Sequence, residues 1–352
     1  MPAFPILGDK VVSKAQYLEH VAQTPLATLQ AGVAESPLAE SFGLEAVPGF
    51  TQIGPNLPLS ILIRYVYTGR NPKSLFGGGK PMALVTGLRD YSTYASSSRA
   101  VNFLMNNVSP KYRFKTPNVF DAGTNVVAYS PAVLTDSINF TVEMAFDRFP
   151  EALFKTISDA LKTLSGIPLL LPAQGYLLAA STVISTGSDW ADALIDGRAA
   201  FSVSDSIDFN LPGVPASTAE FRVLAQHDLT NMTFDPKEGL KTAAGTLYDG
   251  DEPYVVISLD GAPRPNLEHF APTVAAAGVL KQFFNMRNLG EASADAVLAG
   301  VRLANDLKFR KEATDLKTQV NAAGLPADAK AALQARLDAV LKNISTPELK
   351  PS

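Results

Sequence analysis

Tyr254-Val255-Val256-Ile257-Ser258-Leu259-Asp260-Gly261-Ala262-Pro263-Arg264-Pro265 is the stretch on which the fold turns. Its first half is an apolar, β-branched run of strand type, and its second half is a cluster of turn residues. Upstream, runs of the same kind recur between Gly, Pro, Asn and Asp, as in Ile61-Leu62-Ile63-Arg64-Tyr65-Val66-Tyr67. From Pro272 onward the apolar spacing becomes helical, with Val274, Val279, Leu280, Phe283 and Phe284 as the first set. The change of rhythm near Pro265 predicts an α+β protein, with a β-rich body followed by a helical C-terminal region over residues 266–352.

Strand-type runs fall at about 59–68, 81–88, 100–105, 124–130 and 137–146, and again at about 199–209, 219–225, 231–234 and 254–260. So many strands among few helices predict an antiparallel β-sandwich body over 51–265. Asp136-Ser137-Ile138-Asn139-Phe140 is echoed by Asp205-Ser206-Ile207-Asp208-Phe209. The simple reading is two strand starts with turn-forming Asp; the alternative is a duplicated half-domain.

Between the echoes, Pro150-Glu151 opens a helix with an apolar stripe of Leu153, Phe154, Ile157, Leu161 and Leu164. The chain then runs from Thr163 to Ser188 without a charge, a stretch that invites a transmembrane reading. Pro168, Pro172, Gly166, Gly175 and Gln174 count against it, because lipid leaves freed backbone groups unpaired. The expectation is a buried strand or loop leading into a helix that covers one sheet edge or face, within a helical insertion at about 150–195.

Residues 1–50 read as short helices packed on the body. Ser13-Lys14-Ala15-Gln16 has capping-box spacing, and Thr24-Pro25 and Ser36-Pro37 pair a cap-type residue with Pro. At the other end, Val297, Leu298, Val301, Leu303, Ala304, Leu307 and Leu316 belong to one long helix. Leu333, Leu337, Val340 and Leu341 belong to a second, with Gly324-Leu325-Pro326 between them. These predict a helical hairpin whose mixed charges favour a solvated outer face.

The chain has 352 residues, 46% hydrophobic and 18% charged, with a formal net charge of -4. That is enough apolar material for a large core, and the mild negative balance argues against nucleic acid as a partner. Zero cysteines exclude disulfides, thiolate metal sites and cysteine nucleophiles. The first residues show no basic segment followed by a long apolar one, so a cytoplasmic location is expected, and the Asn139, Asn231 and Asn343 glycosylation patterns read as chance matches.

No catalytic constellation is encoded locally. His20, His227 and His269 lie far apart, with neither paired metal-ligand spacing nor a Gly-x-Ser-x-Gly elbow. His227 and Asp228 are adjacent, so on a strand they point to opposite faces. Gly77-Gly78-Gly79-Lys80 resembles half of a phosphate loop, but Ser74 stands where the first Gly belongs and Pro81 where Ser or Thr belongs. It reads as a hairpin loop. No spacing selects a pair of hydrolytic carboxylates, and the aromatic residues sit in apolar runs as core.

The strongest chemical cluster is Asp249-Gly250-Asp251-Glu252, whose carboxylates are the candidate hard oxygen ligands for Ca²⁺. The run Asp251-Glu252-Pro253-Tyr254-Val255 resembles the Asp-Pro-Tyr-Val strand of calcium- and lipid-binding C2 sandwiches, with Glu252 interrupting the match. That likeness covers Asp251 to Leu259 alone and does not identify the family. Asp260 lies roughly 20 Å or more away along the strand, too far to share one ion with Asp251.

The functional expectation is a non-catalytic binding or assembly scaffold, acting through protein contacts or self-association of the C-terminal helices. A membrane-surface protein, calcium-assisted at Asp249, Asp251 and Glu252, is the first alternative, and a hydrolase with a spatially assembled site is the second.

Overall fold

The computed structural model describes residues 3–25, 52–72, 79–90, 98–116, 122–146, 151–163, 169–173, 176–179, 182–185, 199–209, 219–267 and 291–351. It is an α+β protein built on two sheets whose strand pairings are all antiparallel.

The first sheet runs β16-β15-β2-β1-β14-β17-β3-β6, with β8 also pairing β3. Its strands are β1 (Ala3–Leu7), β2 (Lys10–Val11), β3 (Leu59–Tyr67), β6 (Arg113–Lys115), β8 (Val126–Ser130), β14 (Glu220–Ala225), β15 (Thr233–Asp235), β16 (Gly239–Lys241) and β17 (Tyr254–Asp260). The second runs β12-β11-β10-β5-β4-β9-β13, with β7 (Ala122–Gly123) also on β5. It comprises β4 (Lys80–Asp90), β5 (Ser98–Val108), β9 (Ser137–Phe146), β10 (Leu169–Ala173), β11 (Tyr176–Ala179), β12 (Thr182–Ser185) and β13 (Ala199–Asp208).

Every residue of β3 and β17 is buried, which is why both read as continuous apolar runs. Val255, Ile257 and Leu259 of β17 join Ile61 and Ile63 of β3 in a core shared with Met82, Leu84, Phe103, Phe140, Met144 and Phe201 of the second sheet. Tyr254 and Val256 point the other way, into a second core with Tyr65, Tyr67, Phe221, Phe234 and Leu240. That core exists because the first sheet curls into a nearly closed, barrel-like form, bringing the β15–β16 hairpin over β3. β9, by contrast, alternates buried and half-exposed residues, the mark of a sheet with one wet face.

The two echoed pentapeptides are neighbours. β9 and β13 pair antiparallel with Ile138 opposite Ile207 and Phe140 opposite Asp205, and Phe209 N donates to Asp136 O. The repeated pattern serves two adjacent strands that fill one core with the same alternation.

Three expectations are corrected. The N-terminal residues open with strands, β1 and β2, before α1 (Lys14–Gln23); β1 pairs β14 inside the first sheet. Pro5 fits there because its missing N–H is not needed, while its carbonyl accepts from Val12 N. The capping box at Ser13 and Gln16 forms as expected, and Thr24 is the C-cap of this helix; the residues that a helix opened by Thr24-Pro25 would occupy lie outside the described residues. Gly77-Gly78-Gly79 does not join a hairpin, since β3 and β4 belong to different sheets. Lastly, after helix α2 (Glu151–Thr163), which buries Ile157 and Leu161, the described part of the uncharged stretch is not one buried strand or loop but three strands, β10 to β12, paired antiparallel at the edge of the second sheet, and the expected following helix lies outside the described residues. Leu170 and Leu178 are 2% and 0% exposed. Ser36-Pro37 and the Val274–Phe284 apolar set lie outside the described residues. Among the described residues no helix is long and apolar enough to cross a membrane.

At the C-terminus, α3 (Glu291–Val320) and α4 (Ala327–Lys342) form a hairpin turned at Gly324, whose φ is +84°. Phe309, Ala313, Leu316, Leu337, Val340 and Ile344 fill its seam. Leu134 of the body packs on that seam, and Asn343 Nδ2 donates to Ala132 O at 3.0 Å. Asp306, 1% exposed, accepts from Ser345 N and Oγ and from Thr346 N, which fastens the chain end to α3.

Candidate functional site

Asp249, Asp251 and Glu252 sit on the loop leading into β17, beside the tyrosine-lined second core. Tyr67 Oη donates to Gly250 O at 2.8 Å, and Tyr248 Oη accepts from Glu252 N at 3.2 Å. Tyr65 stacks parallel to Tyr254 with centroids 6.1 Å apart, and Tyr254 Oη accepts from Leu240 N at 2.9 Å. Burial, against the opposing charge of Arg113, pushes the Tyr65 and Tyr67 phenols up to about 12. The loop therefore rests on a rigid aromatic floor.

Two of the three carboxylates on this loop, those of Asp249 and Glu252, are already engaged. Asp249 takes Lys111 Nζ at 2.8 Å and Arg113 Nη2 at 3.1 Å, and these cations, Lys111 first, hold its carboxyl below the ordinary 3.8. Arg113 also lies 4.5 Å from the centroid of the Tyr67 ring and donates to Tyr248 O. Glu252 Oε1 accepts from Gln226 N and His227 N, while its Oε2 meets His227 Nδ1 at 2.5 Å. Asp251 is exposed, and its backbone carbonyl accepts from Arg70 N. Among the described residues no three His, Asp or Glu side chains converge in metal-holding geometry. Asp260 lies at the far end of β17, on Arg264 and Ala262 N.

The His227–Glu252 contact joins two residues 25 apart, and nothing local in the sequence announces it. It orients the imidazole as a hydrolytic dyad would, yet His227 is 77% exposed and stands on the surface, and no serine hydroxyl is bonded to it among the described residues. His20 is exposed on α1, and His269 lies outside the described residues.

Two buried polar groups escape sequence reasoning altogether. In the first, β3 bulges against β17 between Ile63 and Tyr65, so Arg64 is the extra residue. Its Nε donates to Ser258 Oγ at 2.7 Å, next to the Arg264–Asp260 pair and Ser60. Burial, then the neighbouring Arg264, lowers the Arg64 guanidinium well below its ordinary value. In the second, Arg222 of β14 reaches from the first sheet to the second. It pairs with Asp205 of β13 at 2.5 Å, donates to Ser206 O at 3.1 Å and is held by Glu220. The one clue was Glu220 and Arg222 at i and i+2 on one side of an apolar strand.

Among the described residues, the largest apolar side chains left open on the helices are Leu303 and Leu307 of α3, 51% and 47% exposed. They stand one turn apart and line up with exposed Ala296 and Gly300, at the helical spacing of a single stripe. A Cβ added at Gly300 would meet nothing within 4 Å. This face is separate from the Phe309–Ala313–Leu316 seam that packs on α4.

No family model, curated protein or solved structure matches the chain.

Proposed function

We propose that the protein is a non-catalytic assembly scaffold, with the body read as a β-sandwich over 51–265 and the helical hairpin as its contact element, working by self-association. The observation that carries this is the Leu303–Leu307 stripe. Two large aliphatic side chains stay half in water on a helix whose other face is satisfied, and flanking Ala296 and Gly300 let a second helix approach closely. An isologous pairing of α3 with its copy buries both stripes with one contact.

The test is light scattering of the wild type against a Leu303→Glu, Leu307→Glu double variant. Both positions are exposed, so the fold tolerates the change while a like-charged interface does not. A wild-type dimer or larger assembly that becomes monomeric supports the reading. A wild type that stays monomeric at high micromolar concentration, or an assembly untouched by the two substitutions, refutes it.

The other readings have less support. A membrane-surface role requires the 163–188 stretch to leave the sheet, against the burial of Leu170 and Leu178. Calcium at Asp249, Asp251 and Glu252 requires Asp249 to give up two cations and Glu252 to give up two backbone amides. A hydrolase built on His227 would rest on an imidazole that stands out on the surface, with no serine hydroxyl bonded to it among the described residues.

A further inference from the structure

The turn that follows β3 carries a site that the scaffold reading leaves unused. Three backbone hydrogen bonds hold it: Arg70 N to Asp251 O at 3.0 Å, Asn71 N to Thr68 O at 3.1 Å and Lys111 N to Gly69 O at 2.6 Å. Gly69 is required, because its φ is +56° and a Cβ there would stand 2.4 Å from the Asp251 carbonyl oxygen. The backbone of Arg70 is thereby fixed. Opposite it stand three strand ends of the second sheet: Lys80 opening β4, Phe146 closing β9, and Ala200 at the irregularity near the start of β13. With Asn71 and Pro72 they line a pocket of ≈ 250 Å³.

Its chemistry is one-sided. Among the described residues the lining carries an arginine, a lysine and a phenyl ring, and no acidic side chain. Neither Arg70 nor Lys80 has an ion-pair partner among the described residues, unlike Arg113, Arg222 and Arg264 elsewhere in the molecule. Asp251 approaches the turn through its backbone carbonyl alone. We infer that this pocket binds a small organic anion, a phosphate monoester whose apolar part lies against Phe146.

Exposed Arg70 and half-buried Lys80, side by side on one pocket between the sheets, draw an oxyanion, and the guanidinium fork matches phosphate oxygens in pairs. The volume falls just below the ordinary range for ligand pockets, about 300–1,000 Å³, so the fitting ligand is of aryl-phosphate size and not a nucleotide or a peptide segment. Phe146 supplies the surface that favours an aryl phosphate over inorganic phosphate.

Isothermal titration at low salt with phenyl phosphate, inorganic phosphate, benzoate and phenol tests the site. Saturable phenyl phosphate binding is expected, tighter than inorganic phosphate and the singly charged benzoate, with phenol silent. Arg70→Gln and Lys80→Gln each weaken it about tenfold, as loss of one charge-assisted contact does. Lys308→Gln on α3 leaves it unchanged, and matching thermal unfolding shows that each variant folds. No saturable phenyl phosphate binding, phenol binding as tightly, or affinity unaltered in both pocket variants overturns the assignment.

Discussion

Arg222→Met removes the cation that fastens the two sheets together. The Arg222 side chain is 11% exposed, and its partners Asp205 and Glu220 are 6% and 5% exposed. Methionine fills most of the volume but leaves two carboxylates where water barely reaches, and breaking a buried pair in this way costs about 3–5 kcal/mol. For a chain of 352 residues each kcal/mol lowers Tm by about 1.4 °C, so the expected fall is about 4–7 °C. Burial opposes the Arg222 charge, but Glu220 and Asp205 outweigh it and hold the guanidinium above its ordinary value. A folded pKa raised above the unfolded one gives stability that is complete below the unfolded value and lost only as pH rises through the folded one, far above neutrality. The guanidinium's own titration therefore adds no pH dependence at neutral pH. Urea and thermal unfolding followed by circular dichroism measure the loss, with an unchanged m-value showing that both states keep their compactness. Adding Asp205→Asn and Glu220→Gln to Arg222→Met neutralises the group and recovers more than half of it. A loss below about 1 kcal/mol, or a neutral triple variant as unstable as Arg222→Met, refutes the argument that buried charge and not packing sets the cost.

Gly239→Ala forces a φ of +103° on a residue with a Cβ only 2.5 Å from Tyr254 Oη and 2.9 Å from Tyr65 Oη, so a loss of about 2–5 kcal/mol is expected in urea melts. Asp306→Ala frees Ser345 and Thr346 and should expose the last residues to carboxypeptidase and fast amide exchange, at a cost of about 2–4 kcal/mol; protection equal to wild type contradicts it. Absorbance titration at 295 nm should show Tyr65 and Tyr67 ionising near pH 12, where burial holds them, against 10.0 in the unfolded chain. Raised folded values mean that this contribution is whole below pH 10 and lost between 10 and 12, so stability must fall across that window.

Much of the fold is legible where one force dominates. β17 and β9 are legible from end to end, because continuous apolar character and strict alternation are direct imprints of two covered faces and of one. The Ser13 capping box and the Gly324 turn are equally legible, being local hydrogen-bond and φ requirements. β1 is not, because five residues containing Pro5 acquire strand geometry only by pairing with β14, over 200 positions away. The β10–β12 meander hides for the same reason: its prolines and glycines mask alternation that tertiary pairing supplies. Asp249 and Glu252 stand out in sequence as free carboxylates, but Lys111, Arg113 and His227 come to them from distant segments, which no local pattern encodes. Arg70 and Lys80 are close in sequence, but Phe146 and Ala200, which line the same pocket, come from distant strands of the second sheet.

The most direct measurement uses the absence of cysteine from the native chain. Leu307→Cys places a single thiol on the exposed α3 stripe, and Lys330→Cys places one on α4 as a reference. If α3 pairs with its own copy about a two-fold axis, mild oxidation converts the Leu307→Cys protein to a disulfide dimer far faster than the Lys330→Cys protein, at low micromolar concentration. Equal, slow cross-linking of the two contradicts the account.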